Sequence, residues 1–275
     1  MRVAAEAAVR VDVAGLTDVG RKRKANEDHF VIATLQKTIH IRQTSLASDR
    51  VFDRLRGLEG LLMMVADGVG GRPKGAIASE TAITALVEYV AQAAGCFNQL
   101  DVDQEQRFLE QLELGVLEAH RRLLAEGDET YGPATTLTMA MLVWPRTYIV
   151  HVGDSRAFYF RKGRLRQLTR DQTTGEYMVD MGAWTEEQAR AAPLASSLAS
   201  ALGSEELTPV IGLVDLQPGD ALLLCTDGLT KHVSDERIVE VLGSAASAEA
   251  ACRALVDAAL ADGGTDNVTT VVARA

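Results

Sequence analysis

The sequence predicts an α+β fold built on antiparallel sheets, on three observations. Short β-rich runs come in blocks and do not alternate regularly with helices, as a doubly wound parallel sheet would require. Two long amphipathic helices stand next to each other between those blocks. The tight turn Arg161-Lys-Gly-Arg164 joins two of the runs, which must therefore be antiparallel neighbours.

Val9–Thr17, His29–Thr34 and Leu61–Ala66 read as the first strands, by apolar content and bounding Gly, Asp or Pro. Gly75–Ala93 follows as a helix, with Ile83, Leu86, Val87 and Val90 on one face. Gln104–Glu126 is a second, with Phe108, Leu112, Val116, Ala119 and Leu123 at helical spacing. Strands return at Leu137–Val143, Tyr148–Val152, Ala157–Arg161 and Ala221–Thr226. Helices at Asp235–Leu242 and Ser247–Ala261, the latter with Ser247 as a plausible N-cap, precede a last strand at Thr269–Ala273. Gln36–Gly60 and Asp171–Glu206 are the least regular stretches, the expected places for insertions and mobile loops.

With 275 residues, 47% of them hydrophobic, the chain can bury a sizeable core, and one domain over 1–275 is expected. The net charge of −10 and the lack of a basic or aromatic track argue against nucleic acid or an anionic membrane as the main partner. Cys96, Cys225 and Cys252 are odd in number and far apart, which fits a reducing compartment and buried free thiols. MRVAAEAAVRVDVAG has no continuous apolar core, so it is not read as a signal peptide, and no apolar run approaches the roughly 18 residues of a membrane span. The expectation is a soluble cytoplasmic protein.

The chemistry lies at strand ends. Leu62-Met-Met-Val-Ala-Asp67-Gly68 and Leu222-Leu-Leu-Cys-Thr-Asp227-Gly228 are buried strands that end alike. Gly263-Gly-Thr-Asp266-Asn267 leads into the final strand, and Asn26-Glu27-Asp28 into an early one. Carboxylates drawn together at the mouth of a sheet repel one another unless cations neutralise them. Hard divalent cations such as Mg2+ and Mn2+ prefer such oxygens. Any one Asp-Gly is more simply a turn; glycine there keeps the loop tight and lets a carbonyl approach an ion.

Gly20-Arg-Lys-Arg23-Lys-Ala-Asn26-Glu27-Asp28 resembles the opening motif of the protein phosphatase 2C family, the metal-dependent Ser/Thr phosphatases. Val65-Ala-Asp67-Gly68-Val-Gly-Gly71 is similar to its second motif in bacterial form. Val152-Gly-Asp154-Ser-Arg156, Cys225-Thr-Asp227-Gly228-Leu229 and Asp266-Asn267-Val268-Thr269 match later motifs in order. The resemblance runs from about Leu16 to Val272.

This resemblance implies a four-layer αββα sandwich, two antiparallel sheets face to face, each flanked by a helix pair. It implies hydrolysis of phosphoserine and phosphothreonine on proteins by a metal-activated water, without a phosphoenzyme. Two Mn2+ or Mg2+ ions are implied: Asp67 bridging both, the Gly68 carbonyl on one, and Asp227 and Asp266 on the other. Glu27 and Asp28 match the acidic pair that binds metal directly or through water, and Asp154 the position that helps hold a third, weaker metal. Arg23 matches the arginine that grips the substrate phosphate; on its own it reads first as part of a basic surface run, Arg21 to Lys24. Phosphorylated proteins and a cognate Ser/Thr kinase are the implied partners.

The chain also departs from the family pattern. Val69 follows Asp67-Gly68 and cannot donate a proton to the leaving group. His29 and His151 lie near motifs but read as packed strand histidines. Thr169-Arg-Asp171-Gln172-Thr173 and Ala192-Pro193-Leu-Ala-Ser-Ser197 lack the histidine and asparagine often found there. Both fall in or beside an expected flap at 171–206. The alternatives are an inactive or weak family member acting as a signalling adaptor, a different two-metal hydrolase acting on nucleotides or nucleic acid, and a plain cation-binding module. The full set of acids argues against the first, and Arg23 beside them against the last.

Overall fold

The computed structural model describes residues 11–36, 59–69, 74–93, 102–127 and 132–275. Most of the Gln36–Gly60 stretch, together with Val9, Arg10, Gly70, Gly71 and Cys96, lies outside them.

Among the described residues ten strands form two five-stranded sheets, and each pairing between them is antiparallel. The first sheet has the order β1-β10-β9-β6-β7, from β1 (Asp12–Asp18), β10 (Val268–Arg274), β9 (Ala221–Cys225), β6 (Arg156–Arg161) and β7 (Arg164–Gln167). The second has the order β2-β3-β4-β5-β8, from β2 (Asp28–Gln36), β3 (Glu59–Asp67), β4 (Leu137–Val143), β5 (Arg146–Val152) and β8 (Val210–Asp215). The β6–β7 hairpin turns where expected, with Lys162 and Gly163 both at positive φ, as a two-residue turn that follows strand twist requires.

The alternation of side chains along β3 explains the layers. Leu62 and Met64 pack outward against α1 (Gly75–Ala93) and α2 (Val102–Ala125), in a core with Leu86, Phe108, Leu112 and Leu123. Met63 and Val65 point the other way and meet Leu222, Leu224 and Val271 of the first sheet. Because both faces of β3 are buried, the strand reads as a continuous apolar run. The first sheet is covered on its outer side by α6 (Asp235–Ser244) and α7 (Ala248–Ala261), where Phe158, Leu223 and Val272 meet Ile238, Val241, Leu255 and Val256. Each such fully buried aliphatic side chain contributes roughly 1.5–3 kcal/mol. The result is the expected αββα sandwich.

Helix α1 has the bounds predicted for it, and Ser247 caps α7 by accepting from the Ala250 amide at 3.1 Å. Three features were not anticipated. β8 (Val210–Asp215) is an edge strand in sequence to which no element had been assigned. Asp227–Thr230 is a one-turn helix, α5, where Asp-Gly had read as a turn. The 171–206 stretch holds two short helices, α3 (Thr174–Asp180) and α4 (Glu186–Ala191), capped by Thr173 and Thr185. No helix among the described residues is long and apolar enough to cross a membrane.

Candidate metal centre

Asp28 opens β2 and Asp67 closes β3, and the sheet register sets them directly opposite each other. The Asp67 main chain is locked from the next strand. Its N–H donates to Thr136 Oγ1 (3.0 Å), and its carbonyl accepts from the Thr136 amide (2.9 Å) and Thr135 Oγ1 (2.8 Å). Asp154 lies in the turn between β5 and β6. Asp227 starts α5 just past β9, and Asp266 immediately precedes Asn267 and β10. Both sheets thus deliver acids to one end of the sandwich, around a cleft of about 690 Å3. Arg23, Asp67, Val69, Asp154, Asp227, Lys231 and Asp266 line it, with Ser196, Ser197 and Leu198 from the expected flap on one wall.

The glycines beside the acids are required by close approach. A Cβ on Gly68 would collide with the main chain of Gly75 at the start of α1, and one on Gly228 with the Asn267 carbonyl. Tightness of a loop is therefore not the reason for Gly228, which lies inside a helical turn. The Gly68 amide donates to the Glu27 carbonyl at 3.1 Å. The Glu27 carboxylate rests over Gly75 and is not among the cleft-lining groups. Asp28 lies buried beneath the cleft, its Oδ2 accepting from Thr226 Oγ1 (2.8 Å) and Thr269 Oγ1 (2.7 Å).

The electrostatics are those of crowded carboxylates. Burial, opposed by the Thr269 and Thr226 hydroxyls and reinforced by Asp227, pushes Asp28 up to about 6. Burial and the charges of Asp28 and Asp227 hold Asp67 well above the usual carboxylate range. Burial and the charges of Asp227 and Asp171 take Asp154 to about 7. Asp266 goes the other way: burial opposes its ionisation, but hydrogen bonds from Arg23 and Lys231 outweigh it. Arg23 meets Asp266 at two points, Nε to Oδ1 at 2.7 Å and a terminal nitrogen to Oδ2 at 3.0 Å. Lys231 Nζ lies 2.5 Å from Asp227 Oδ2 and 2.9 Å from Asp266 Oδ2.

These residues fit divalent cations. Asp28 Oδ1 and Asp227 Oδ1 are buried without a hydrogen-bond partner, and buried oxygens of this kind call for a partner such as an ion. Among the described residues no three acid, histidine or cysteine side chains already close into a finished ion cage; the gap between Asp227 and Asp266 is filled by the Lys231 ammonium.

The predicted residues Arg23, Asp67, Asp154, Asp227 and Asp266 thus meet in one cleft. Asp28 lies directly below it, with Gly68 at its edge and Glu27 set back. His29 is hydrogen-bonded to Ser79 at 2.9 Å, and buried His151 to Thr138 (2.9 Å) and the Arg170 carbonyl (3.0 Å). Neither lines the cleft, and both are strand histidines as expected. The sequence reading missed Lys231 and the polar residues that hold the acids in place: Thr135, Thr136, Thr226, Asn267 and Thr269. Asn267 ties the Arg23 loop to the end of the chain, its Nδ2 donating to the Val19 and Ala25 carbonyls (both 2.9 Å) and its Oδ1 accepting from the Glu27 amide (2.9 Å). The signal available was adjacency, since Thr226, Asn267 and Thr269 lie inside the quoted motifs. Asp171, in the segment that departs from the family pattern, forms a two-point ion pair with Arg156 (2.7 and 2.9 Å), and Gln172 bonds to both the amide and the carbonyl of Gly153. The base of the 171–206 stretch thereby clamps the Asp154 turn.

Residues 37–263 match the family model described as Protein phosphatase 2C. The chain is 38% identical over 216 residues to the serine/threonine protein phosphatase PstP of Mycobacterium tuberculosis, an alignment covering 77% of this chain and 40% of PstP. It therefore spans about two fifths of that relative. It is 30% identical over 262 residues to the protein phosphatase PhpP of Streptococcus pneumoniae, covering 94% of this chain and 95% of PhpP. Among solved structures, the catalytic domain of PstP in complex with two manganese ions superposes with a TM-score of 0.71 at 30% identity, over 96% of this chain and 97% of that one. Five acids at the mouth of an αββα sandwich, motifs in one register and relatives of this closeness have one common source: the chain belongs to the protein phosphatase 2C family.

Proposed function

We propose that this chain hydrolyses phosphoserine and phosphothreonine on proteins, reversing the action of a Ser/Thr kinase in the cytoplasm, as one phosphatase domain over 1–275. The observation that carries the reading is the convergence of Asp67, Asp154, Asp227 and Asp266 with Arg23 on one cleft above Asp28. The named relatives are phosphatases, and one of them is described with two manganese ions.

Asp67 would be shared by two Mn2+ or Mg2+ ions, with the Gly68 carbonyl on one and Asp227 and Asp266 on the other. Glu27 and Asp28 would hold their waters or bind directly, and Asp154 would help hold a third. Bound there, such ions supply a water of lowered pKa and neutralise the carboxylates. The protein does the rest. Thr135 and Thr136 fix the Asp67 main chain, so that its carboxylate presents one geometry. Thr226 and Thr269 orient Asp28 by one of its oxygens, leaving Oδ1 for another partner. Arg23 offers a planar fork of donors suited to phosphoryl oxygens, and at 41% side-chain exposure it faces an incoming ligand. Val69 lines the wall and gives no proton.

Hydrolysis of p-nitrophenyl phosphate and of a phosphothreonine peptide tests this. Both activities should vanish in EDTA and return with Mn2+ or Mg2+; full activity in excess chelator would overturn the proposal.

A further inference from the structure

We infer that Lys231 is a resident cation that competes with the divalent ion for Asp227 and Asp266, and so sets the metal concentration at which the site loads. The inference rests on the metal-site reading above and deepens it. Lys231 follows α5 directly, and its amide donates to the Asp227 carbonyl at 2.9 Å, so its side chain starts one helical turn from Asp227. From there Nζ reaches Oδ2 of Asp227 and Oδ2 of Asp266 together. These are the two acids read as ligands of one ion.

Arg23 also meets Asp266, but among the described residues only Lys231 bridges the pair. Its ammonium therefore does part of what a metal would do: its one positive charge is shared between two carboxylates and offsets part of their repulsion. A divalent ion seeking the same oxygens meets a positive charge already there, and must displace it. The side chain suits such a role. It is a point charge on a flexible stem and is 42% exposed, so it can withdraw into solvent without unpacking the core. Between the two acids the competition is local. The oxygens of Asp28 and Asp67 are not contacted by Lys231, so their affinity for an ion is affected only through space.

Calorimetric titration of the metal-stripped chain with MnCl2 tests the inference without reference to turnover. Lys231→Met and Lys231→Gln should each bind Mn2+ about tenfold or more tightly than the wild type, because the competing charge is gone. Lys231→Arg keeps the charge and should bind no more tightly than the wild type. The melting temperature should also rise more on adding Mn2+ to Lys231→Met than to the wild type, a readout available from whichever neutral variant folds. Neutral variants that bind Mn2+ no better than the wild type would overturn the inference while leaving the metal site intact. Absence of Mn2+ uptake by every variant, wild type included, would instead overturn the metal-site reading on which it stands.

Discussion

Asp28 and Asp67 face each other directly across the β2–β3 pair, two carboxylates at a cross-strand position where like charges destabilise a sheet. Both are raised above the ordinary carboxylate value, as is Asp154. Each binds a proton more tightly folded than unfolded. The stability they contribute is therefore complete below about pH 4, the unfolded value, and is lost as pH rises through about 6 for Asp28 and about 7 for Asp154. In EDTA, the melting temperature of Asp28→Asn relative to wild type should rise between pH 5 and pH 7.5, since the variant no longer suffers that loss. A constant difference across this window would show that the pair is not under charge strain. Adding Mn2+ at pH 7.5 should stabilise the wild type.

Losing any one of the converging acids should disable the site and spare the fold. Asp67→Asn, Asp227→Asn and Asp266→Asn are each expected to lower kcat/KM by at least about 100-fold, with unchanged far-UV circular dichroism. Near-normal turnover by folded Asp67→Asn would contradict its assignment.

Arg23→Ala separates binding from chemistry. A higher KM with unchanged kcat would mean that Arg23 holds the ground-state phosphate; a lower kcat would mean that its contact strengthens as charge develops. Unchanged kcat/KM would return it to the surface run in which the sequence also allowed it.

Asn267→Ala removes three hydrogen bonds from a buried residue that holds the Arg23 loop. The expected cost is about 2–4 kcal/mol in urea unfolding, with a drop in kcat/KM from a misplaced Arg23. Stability within error of wild type would show that the loop is held by other means.

His29→Ala and His151→Ala should leave unchanged the ratio of phosphothreonine-peptide to nitrophenyl phosphate turnover. The nitrophenyl ester needs little help with its leaving group, so a lost general acid would change that ratio. Burial takes His151 down to about 4, and both its nitrogens are engaged. Selective loss of peptide turnover in either variant would identify a protein acid after all.

Much of this was legible in the sequence, for a physical reason. β3 ends in Asp67, and β9, also buried on both faces, is followed two residues later by Asp227, so a continuous apolar run followed by Asp-Gly marked both the strand and its rim. β8 was missed although Val210-Ile-Gly-Leu-Val214 is apolar: Gly212 interrupts the run, and with Val210, Leu213 and Asp215 exposed on an edge strand the six residues show no regular alternation of apolar and polar positions. A four-residue helix such as α5 has too few residues to show a period. The order of the acids came through the family motifs, whereas the ties that hold them did not. Arg23 and Asp266 are 243 residues apart, and Asp28 and Thr269 are 241 apart; no local pattern announces such contacts. Lys231 was overlooked for a related reason, since one of its two partners lies 35 residues further on.

The position of β10 between β1 and β9, with Asn267 just before it, also orders events during synthesis. The ribosome makes Arg23 and Asp28 early, yet their loop and one of the two hydroxyls that hold Asp28, that of Thr269, wait on residues 266–274. A nascent chain thus carries the opening motif for some two hundred residues without the segment that pins it. Stalled chains exposing residues up to about 260 should accordingly show no phosphatase activity, whatever metal is supplied, and release of the next dozen residues should bring the whole site into being in one step.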